Sequence, residues 1–204
     1  MSQALLSSTY FGPVQWYQKL FRYDVVAVEA CDHFVKQTYR NRCVIATANG
    51  TQVLTVPVEH ADPSASMRDI RLSDHGNWRH LHWNALVSAY GESPFFEYYA
   101  DDIRPFYEKR WTFLLDYNME ITQKLCELLD IEPRLSLTDT YVKEVDAAGV
   151  ADFRETIRPK KPLPDTDFIP KKYYQVYQQR HGFLANMSVL DLLFNMGNES
   201  VFYL

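Results

Sequence analysis

Apolar and polar residues follow two different periods along the chain, and the first 30 residues follow the strand pattern. Residues 3–7 form a short apolar run, and residues 24–30 are β-branched and apolar on both sides, which is typical of a strand buried on both faces. Between these runs, apolar residues after Gly12-Pro13 recur every three to four positions and predict a short amphipathic helix. The pattern predicts a β-loop-α-β unit and leaves the pairing of its strands open.

A β-hairpin is predicted next. Residues 43–48 and 52–58 have the composition of strands and flank Asn49-Gly50. Because Asn-Gly accepts a positive φ at both central positions of a tight turn, these two residues predict a type I′ turn. Residues 70–73 are a further short strand candidate.

From Asn77 onward the apolar period becomes helical. Asn77 is a fair N-cap, and one stripe of the helix after it is apolar, which predicts that this stripe is buried against the sheet. Asp101 or Asp102 is predicted to cap a later helix that has Pro105 in its first turn. The apolar stripe consists of Trp78, Leu81, Ala85, Leu86 and Ala89.

Together these elements predict one domain, residues 1–204, of the α/β or α+β class. Its N-terminal half, a β-α-β unit and a β-hairpin, is expected to pack against a mainly helical middle and a C-terminal helix. Ser188 and Asp191 form a capping box at the start of that last helix, and Gly197 ends it. The expected parts are a β-rich segment 1–75, a helical segment 77–131, a mobile basic loop at about 144–172 and a C-terminal helix 188–197.

Composition narrows the class of protein. The chain has 204 residues, 47% of them hydrophobic, and a formal net charge of −5. A chain of this size can fold without disulfides or a metal, and its acidic balance argues against nucleic-acid binding. No apolar run approaches the roughly 18 residues of a membrane span, and the N-terminus lacks the pattern of a secretion signal. The three cysteines are widely spaced without a CxxC motif, which predicts a cytoplasmic protein with no disulfide framework and no thiolate zinc site.

A basic segment before the hairpin is a candidate anion site. Lys36, Arg40, Asn41 and Arg42 lie close together in sequence, and Arg40 and Arg42 point the same way if the strand begins this early. Guanidinium groups with a lysine nearby suit a phosphate or a carboxylate. The alternatives are a solvated edge strand, or internal pairing with the acidic residues of the 29–32 segment.

Three residues are candidates for acid–base catalysis. His82 lies on the apolar stripe and His80 is offset from it, whereas Glu97 is flanked by aromatic residues that could raise its pKa. The alternative for His82 is a buried neutral histidine satisfied by a neighbour. Residues i and i+2 do not share a helix face and no HExxH motif is present, so the histidines predict no metal site.

The segment from Arg154 through Lys172 is rich in basic residues and prolines. It is predicted either to close over a phosphorylated ligand as a mobile lid or to be a surface tract without function. The sequence contains no GxGxxG, GxxxxGK[ST], GxSxG or HxGH motif, so dinucleotide binding, P-loop chemistry and α/β-hydrolase chemistry lack support. No cofactor follows from the remaining residues.

Several longer runs are distinctive in combination, above all Tyr39-Arg40-Asn41-Arg42 and the block from Gly182 to Ser200. They are YFGPVQWYQKL, KQTYRNRCVI, LTVPV, NWRHLHWNALVSAYGESPFFEYYADDIRPFYEK, RETIRPKK and YQVYQQRHGFLANMSVLDLLFNMGNES. Over about residues 9–204 the chain resembles the WbqC-like family. That resemblance implies a setting in the biosynthesis of O-antigen or other surface polysaccharide, but it carries no assigned catalytic residues. Some relatives open with a turn loosely like that of HxGH nucleotidylyltransferases, and residues 10–17 lack its histidines and second glycine, which argues against adenylyl transfer.

Two functions follow as expectations. The first is a cytoplasmic transferase-type protein whose donor carries phosphate, namely a nucleotide sugar or an acyl donor, bound by the basic segment under the basic loop. The second is a non-catalytic carbohydrate- or protein-binding module of the same pathway, which the many Tyr, Phe and Trp residues favour. A homodimer is compatible with either function.

Overall fold

The computed structural model describes residues 1–60, 62, 64–145 and 149–204. Its largest sheet has four strands, and each neighbouring pair is parallel. These strands are β1 (Gln3–Ser7), β2 (Val25–Glu29), β5 (Leu135–Leu137) and β6 (Val150–Asp152). The order across the sheet is β5-β2-β1-β6, so β1 and β2 are the central strands and each pairs with a strand on both sides. The expected mixture of helices and strands is confirmed.

The β-loop-α-β unit is present as predicted. Strand β1 leads through helix α1 (Val14–Arg22) to β2, and the two strands pair in parallel from Gln3↔Val25 to Ser7↔Glu29. Parallel neighbours need a crossover connection, and α1 supplies it. The structure thus answers the question of pairing that the apolar pattern left open.

The hairpin is present, but its turn lies one residue earlier than predicted. Strands β3 (Arg42–Thr47) and β4 (Gly50–Thr55) are antiparallel, and Thr47 pairs with Gly50 around the turn Ala48-Asn49. Gly50 has a φ of 109°, whereas neither turn residue has a positive φ. The type I′ prediction is therefore wrong. A glycine directly after a two-residue turn is the pattern of a hairpin with a bulge, and it uses the glycine at the one position that needs it.

The helices follow the predicted order, with two short ones added. They are α2 (Trp78–Tyr90), α3 (Phe96–Ile103), α4 (Pro105–Glu108), α5 (Leu114–Leu128), α6 (Gln178–His181) and α7 (Val189–Met196). Three 3-10 turns cover Met67–Asp69, His75–Asn77 and Gly197–Tyr203. Among the helices described, none has the length and apolar character needed to cross a bilayer. Residues 70–73 make only isolated bridges to Val58 and Phe113 and do not form a strand.

The buried face of α2 differs in part from the predicted stripe. Trp78, Leu86 and Ala89 are buried, but Leu81 is 59% exposed and Ala85 is only half-buried. His82, which also lies on the predicted stripe, is buried with them, and Tyr90 completes the buried face. The core therefore meets the side of the predicted stripe that carries Trp78, His82 and Leu86, and Leu81 lies at its exposed margin.

Two of the predicted helix caps are wrong and one is confirmed. Asn77 has a φ of 49° and its side chain makes no capping hydrogen bond. Asp101 and Asp102 lie inside α3, so neither caps the helical turn that begins at Pro105. Ser188 does cap α7, since its Oγ accepts a hydrogen bond from the backbone N–H of Leu190 at 3.3 Å.

Asp191 has a different role from the one in a capping box. Its carboxylate is buried and accepts hydrogen bonds from Tyr90 Oη (3.0 Å), Tyr173 Oη (2.7 Å) and Gln175 Nε2 (2.7 Å). Burial raises the pKa of this carboxyl, and the three hydrogen bonds oppose that shift. Asp191 therefore fastens α7 to α2 and to the extended segment before α6.

The prediction of a loop at about 144–172 is wrong in part, because Val150–Asp152 form β6 of the sheet, and further residues of this range make defined contacts with the domain. Asp165 forms an ion pair with the fully buried Lys19 of α1 at 2.8 Å and accepts a hydrogen bond from Gln15. Lys160 donates a hydrogen bond to Gln37 Oε1 at 2.8 Å. Residues 146–148, which belong to the predicted mobile loop, lie outside the described residues, and the mobility of the rest stays a prediction.

Candidate functional site

The carboxyl ends of β1 and β6 form the edge of the sheet where a ligand is most expected. From β1 the chain runs through α1 to β2 on one side, while β6 adds to the other side of β1 late in the sequence. A crevice outside the carboxyl ends of parallel strands at such a reversal of order is where open α/β sheets bind ligands. Ser7 is the last residue of β1 and is followed by Ser8 and Thr9, and Arg154 follows β6 at this edge.

Arg40 reaches this edge from the turn before β3. Its Nη2 donates to Ser7 Oγ at 2.9 Å and forms an ion pair with Asp32, and its Nη1 donates to Thr38 Oγ1 at 3.4 Å. The side chains of Arg40 and Asp32 are about nine-tenths buried. The Asp32 partner is the internal pairing that the sequence left open, although it uses one carboxylate oxygen and not two. Burial raises the pKa of Asp32, and the Arg40 guanidinium counteracts only part of that shift.

Asn118 of α5 connects this arginine to the end of β1. Its Nδ2 donates to the carbonyl of Arg40 at 2.8 Å and to Ser8 Oγ at 3.3 Å. Several buried polar atoms around these residues have no hydrogen-bond partner within the described chain, which is uncommon in protein interiors and typical of sites that bind water or a ligand. These atoms are Thr9 Oγ1, Asp32 Oδ1, Arg40 Nε and Asn118 Oδ1.

A small cavity lies at this edge, and we call it the carboxyl-edge cleft. It encloses about 20 Å³, room for a single water molecule. The segment 154–158 closes one side of it, and Arg158, whose side chain is 31% exposed, pairs with Glu155 of the same segment. A larger ligand can enter only if this segment moves. The cleft is lined by Ser7, Ser8, Thr9, Val35, Thr38, Tyr39, Arg40, Arg154, Glu155, Ile157 and Arg158.

Arg154 is already committed to internal contacts. Its guanidinium binds both carboxylate oxygens of Asp152 and lies 3.3 Å from Glu29 Oε2. Glu29 is fully buried, and it also accepts hydrogen bonds from Thr138 Oγ1 at 2.7 Å and from the backbone of Val142 at 3.0 Å. These contacts tie β6 to β2 and β5, so Arg154 serves the architecture of the edge and Arg158 is the more available cation.

The other members of the predicted anion site are distributed around the cleft. Lys36 is exposed in the turn that Lys160 contacts through Gln37. Asn41 is buried and donates from Nδ2 to the carbonyl of Val56 at 2.9 Å. Arg42 begins β3 and is half-buried outside the cleft lining. The structure therefore brings the 36–42 segment and the 154–160 segment together through the contact of Lys160 with Gln37, and Arg40 is the member of the predicted anion site that lines the cleft.

His82 is buried in the aromatic core between α2 and the loop after β1. Its Nδ1 lies 2.8 Å from Tyr10 Oη, which is also 3.0 Å from Tyr107 Oη. Burial lowers the pKa of His82 to about 4, although a hydrogen bond with the backbone of Thr55 opposes that shift. The imidazole is therefore neutral at pH 7. This agrees with the alternative prediction of a buried neutral histidine that is satisfied by a neighbouring side chain.

The three acid–base candidates are not gathered at one place. His80 is exposed on α2, and its Nε2 lies 2.9 Å from the Asn84 amide nitrogen. Glu97 is exposed in the first turn of α3. Neither residue lines the carboxyl-edge cleft, and His82 faces the core.

We expect His82 to make the protein less stable in acid. The pKa of His82 is about 4 in the folded chain, whereas an unperturbed histidine has a pKa of 6.5. Between these two pH values the unfolded state binds the proton more readily than the folded state does. Stability is therefore lost as the pH falls from 6.5 towards 4, by about 3 kcal/mol in total. Urea unfolding across this range measures the loss.

The variant His82→Gln isolates this effect from that of the carboxyl groups. It has no proton to gain at position 82, so its free energy of unfolding should fall less steeply than that of the parent chain over the same range. Parallel curves for the two proteins would contradict the assignment.

Sequence reasoning missed Asp32 as the definite partner of Arg40, and it missed Asn118 and the polar run Ser7-Ser8-Thr9. A signal for the polar run was present, because three small hydroxyl residues directly follow a strand buried on both faces. No comparable signal pointed to Asn118, which lies 78 residues from Arg40 in the chain.

The sequence profile of the WbqC-like protein family matches residues 8–158. The chain belongs to this family. The stretch common to the WbqC-like family includes Arg40, Asn118, Arg154 and Arg158, so nearly all of the carboxyl-edge cleft lies within it. Residues 159–204, with α6 and α7, lie beyond it.

A relative of this WbqC-like chain is the uncharacterized protein Rv1507c of Mycobacterium tuberculosis (strain ATCC 25618 / H37Rv). It is 28% identical over an alignment of 218 residues that covers 96% of this chain and 91% of the relative. No solved structure matches the chain.

Proposed function

We propose that this member of the WbqC-like family is a cytoplasmic transferase-type protein of surface polysaccharide (O-antigen) biosynthesis. It binds the phosphate of an activated donor, a nucleotide sugar or an acyl donor, at the carboxyl-edge cleft. The observation that carries the proposal is that Arg40 and Arg158 both line a crevice at the reversal of strand order. Guanidinium groups are the side chains best suited to hold phosphate through paired hydrogen bonds.

Electrostatics support an anion at this cleft. The chain carries a net charge of −5, so a phosphate is repelled unless fixed cations are concentrated locally. Arg158 lines the cleft and pairs with Glu155, and Lys160 contacts Gln37 in the turn that also carries Lys36. The pair Arg158–Glu155 is partly exposed, so little free energy is lost when a phosphate takes the place of the carboxylate.

The size of the cleft assigns a role to the 154–160 segment. With about 20 Å³ the cleft is too small for a phosphate group, so the proposal requires the segment that carries Arg158 to move. In the proposal this segment opens to admit the donor and closes with Arg158 and Lys160 against the phosphate, as lid loops do in other enzymes.

For proton transfer, the proposal retains His82, His80 and Glu97. His80 and Glu97 are exposed and therefore open to a substrate from solvent. His82 is neutral at pH 7 and can act as a base only when its contact with Tyr10 is broken. A role for any of them requires that an acceptor extends from the cleft towards the helical side of the domain.

The test is the affinity for inorganic pyrophosphate, measured by isothermal titration calorimetry. Arg158→Ala should weaken binding by about tenfold or more, and it should leave the melting temperature nearly unchanged because the ion pair that it removes, with the exposed Glu155, lies within one segment and is partly open to solvent. Arg71→Ala is the matched control, since Arg71 is also a partly exposed arginine in a carboxylate pair, with Glu59, and lies outside the cleft. Equal affinities for the parent chain and Arg158→Ala would refute the proposal.

The non-catalytic module is the rival outcome of the same experiment. Tyr98 is 72% exposed, and an exposed aromatic face is the usual platform for a sugar ring. Stabilisation by neutral oligosaccharides, with no response to pyrophosphate, would favour the binding module over the transferase.

A further inference from the structure

A second and larger cleft lies on the helical side of the domain, between α2 and α4. It encloses about 360 Å³, within the usual range of small-molecule sites. Three arginines line it, Arg79, Arg104 and Arg110, together with His80 and the aromatic rings of Trp83 and Tyr107. We call it the arginine cleft. It shares no residue with the carboxyl-edge cleft.

The three guanidinium groups differ in their burial and in the distances of their ion pairs. Arg79 is mostly buried, donates to Asp74 at 2.6 Å and lies 4.6 Å from the centre of the Trp78 ring. Arg104 pairs with Glu108 at 2.7 Å, and both side chains are more than half exposed. Arg110 is 86% exposed and 3.5 Å from Asp74. Arg79 is therefore a fixed part of the wall, and the other two are free to turn towards a ligand.

The charges of the lining favour an anion. Three arginines face two carboxylates, those of Asp74 and Glu108, which leaves an excess of one positive charge in a chain that is negative overall. Ion pairs between exposed side chains contribute little free energy, so an anionic ligand can displace Glu108 from Arg104 at small cost. The Asp74 carboxylate, whose pKa is lowered mainly by its hydrogen bond from Arg79, remains as the anchor of the wall.

The aromatic part of the lining favours a flat ring. Trp83 is half-buried, and its ring centre lies 5.9 Å from that of Tyr107 and 6.1 Å from that of Phe96. These neighbours fix the orientation of the indole, and the cleft reaches its remaining surface. A fixed indole face next to mobile guanidinium groups suits a ligand that joins a planar ring to an anionic group.

We infer that the arginine cleft is a binding site for a nucleoside monophosphate, with the base on Trp83 and the phosphate held by Arg104 and Arg110. The site is independent of the donor site proposed at the carboxyl-edge cleft. Recognition has two parts, and each part alone is weak. The indole contributes stacking with the base, and the pair of arginines supplies charge-assisted hydrogen bonds for the phosphate.

Calorimetric titration with UMP, uridine and inorganic phosphate separates the two parts. UMP should bind at least about tenfold more tightly than either fragment. Arg104→Ala should weaken UMP binding by about tenfold while affecting uridine little, and Trp83→Leu should weaken UMP while leaving phosphate unchanged. Because Arg104 is exposed, Arg104→Ala should fold normally. Its affinity for UMP therefore tests the inference even if Trp83→Leu does not fold.

Crossed controls distinguish this site from the donor site. Arg158→Ala should leave the affinity for UMP unchanged, and Arg104→Ala should leave the affinity for pyrophosphate unchanged. UMP that binds no tighter than phosphate, or that binds Arg104→Ala as well as the parent chain, would overturn the inference without touching the donor proposal. A loss of UMP binding in Arg158→Ala alone would assign the nucleotide to the carboxyl-edge cleft and would equally overturn it.

Discussion

Arg40→Ala is expected to lower the free energy of unfolding by about 3–5 kcal/mol. The substitution leaves the Asp32 carboxylate nine-tenths buried without its cation, and removal of one partner from a buried ion pair has a cost of this size. It also removes the hydrogen bonds that the guanidinium donates to Ser7 and Thr38. Urea denaturation with linear extrapolation measures the change.

A double substitution provides the control for Arg40. Arg40→Met combined with Asp32→Leu removes both charges and keeps apolar volume, so it should recover much of the stability that Arg40→Ala loses. A loss below about 1 kcal/mol in the single variant would mean that the pair is no stronger than a surface ion pair. The burial of Arg40 also makes it a poor probe of ligand binding, and for this reason the binding experiment uses Arg158.

Lys19→Met is expected to destabilise the chain by an amount of the same order, about 3–5 kcal/mol. Lys19 is fully buried on α1, where its ammonium lies 2.8 Å from Asp165 and 4.5 Å from the centre of the Phe153 ring. Without the lysine, Asp165 keeps only the hydrogen bonds of neutral groups in a site that is largely closed to water. Thermal and chemical unfolding measure the loss.

Hydrogen exchange locates where the Lys19 variant loosens. Helix α1 holds the segment from Arg154 to Lys172 at Asp165 and Asp167, through Lys19, Gln15 and Gln18. Backbone amides near these two aspartates should exchange faster in Lys19→Met, and the combined variant with Asp165→Asn should be more stable than the sum of the single effects predicts. Unchanged exchange in this segment would show that other contacts hold it.

The sequence alone was sufficient for the elements whose signals are local. The β1-α1-β2 unit could be predicted because a buried strand, a Gly-Pro break and a helical period each occupy a few consecutive residues. The same holds for α2, for α7 with its Ser188 cap, and for the existence of the hairpin.

Elements without a local signal could not be predicted. Strands β5 and β6 have three residues each, too few to show an alternating pattern, and they exist because their backbones complete the sheet on either side of β2 and β1. The exposure of Leu81 is of the same kind. Its residue type favours burial, but the core contacts the part of the same stripe that carries His82 and Leu86, and Leu81 lies outside that contact.

For the candidate site, residue types could be predicted and their grouping could not. The sequence identified Arg40 and the basic segment after Arg154 as places for an anion, since positive charge stands out in an acidic chain. Tertiary structure decided that Arg40 contacts Asp32 and Asn118 and lines one cleft with the 154–158 segment, whereas Arg42 lies apart from them. Side chains that are far apart in sequence meet only through the packing of whole elements, and no short-range pattern in the chain encodes that packing.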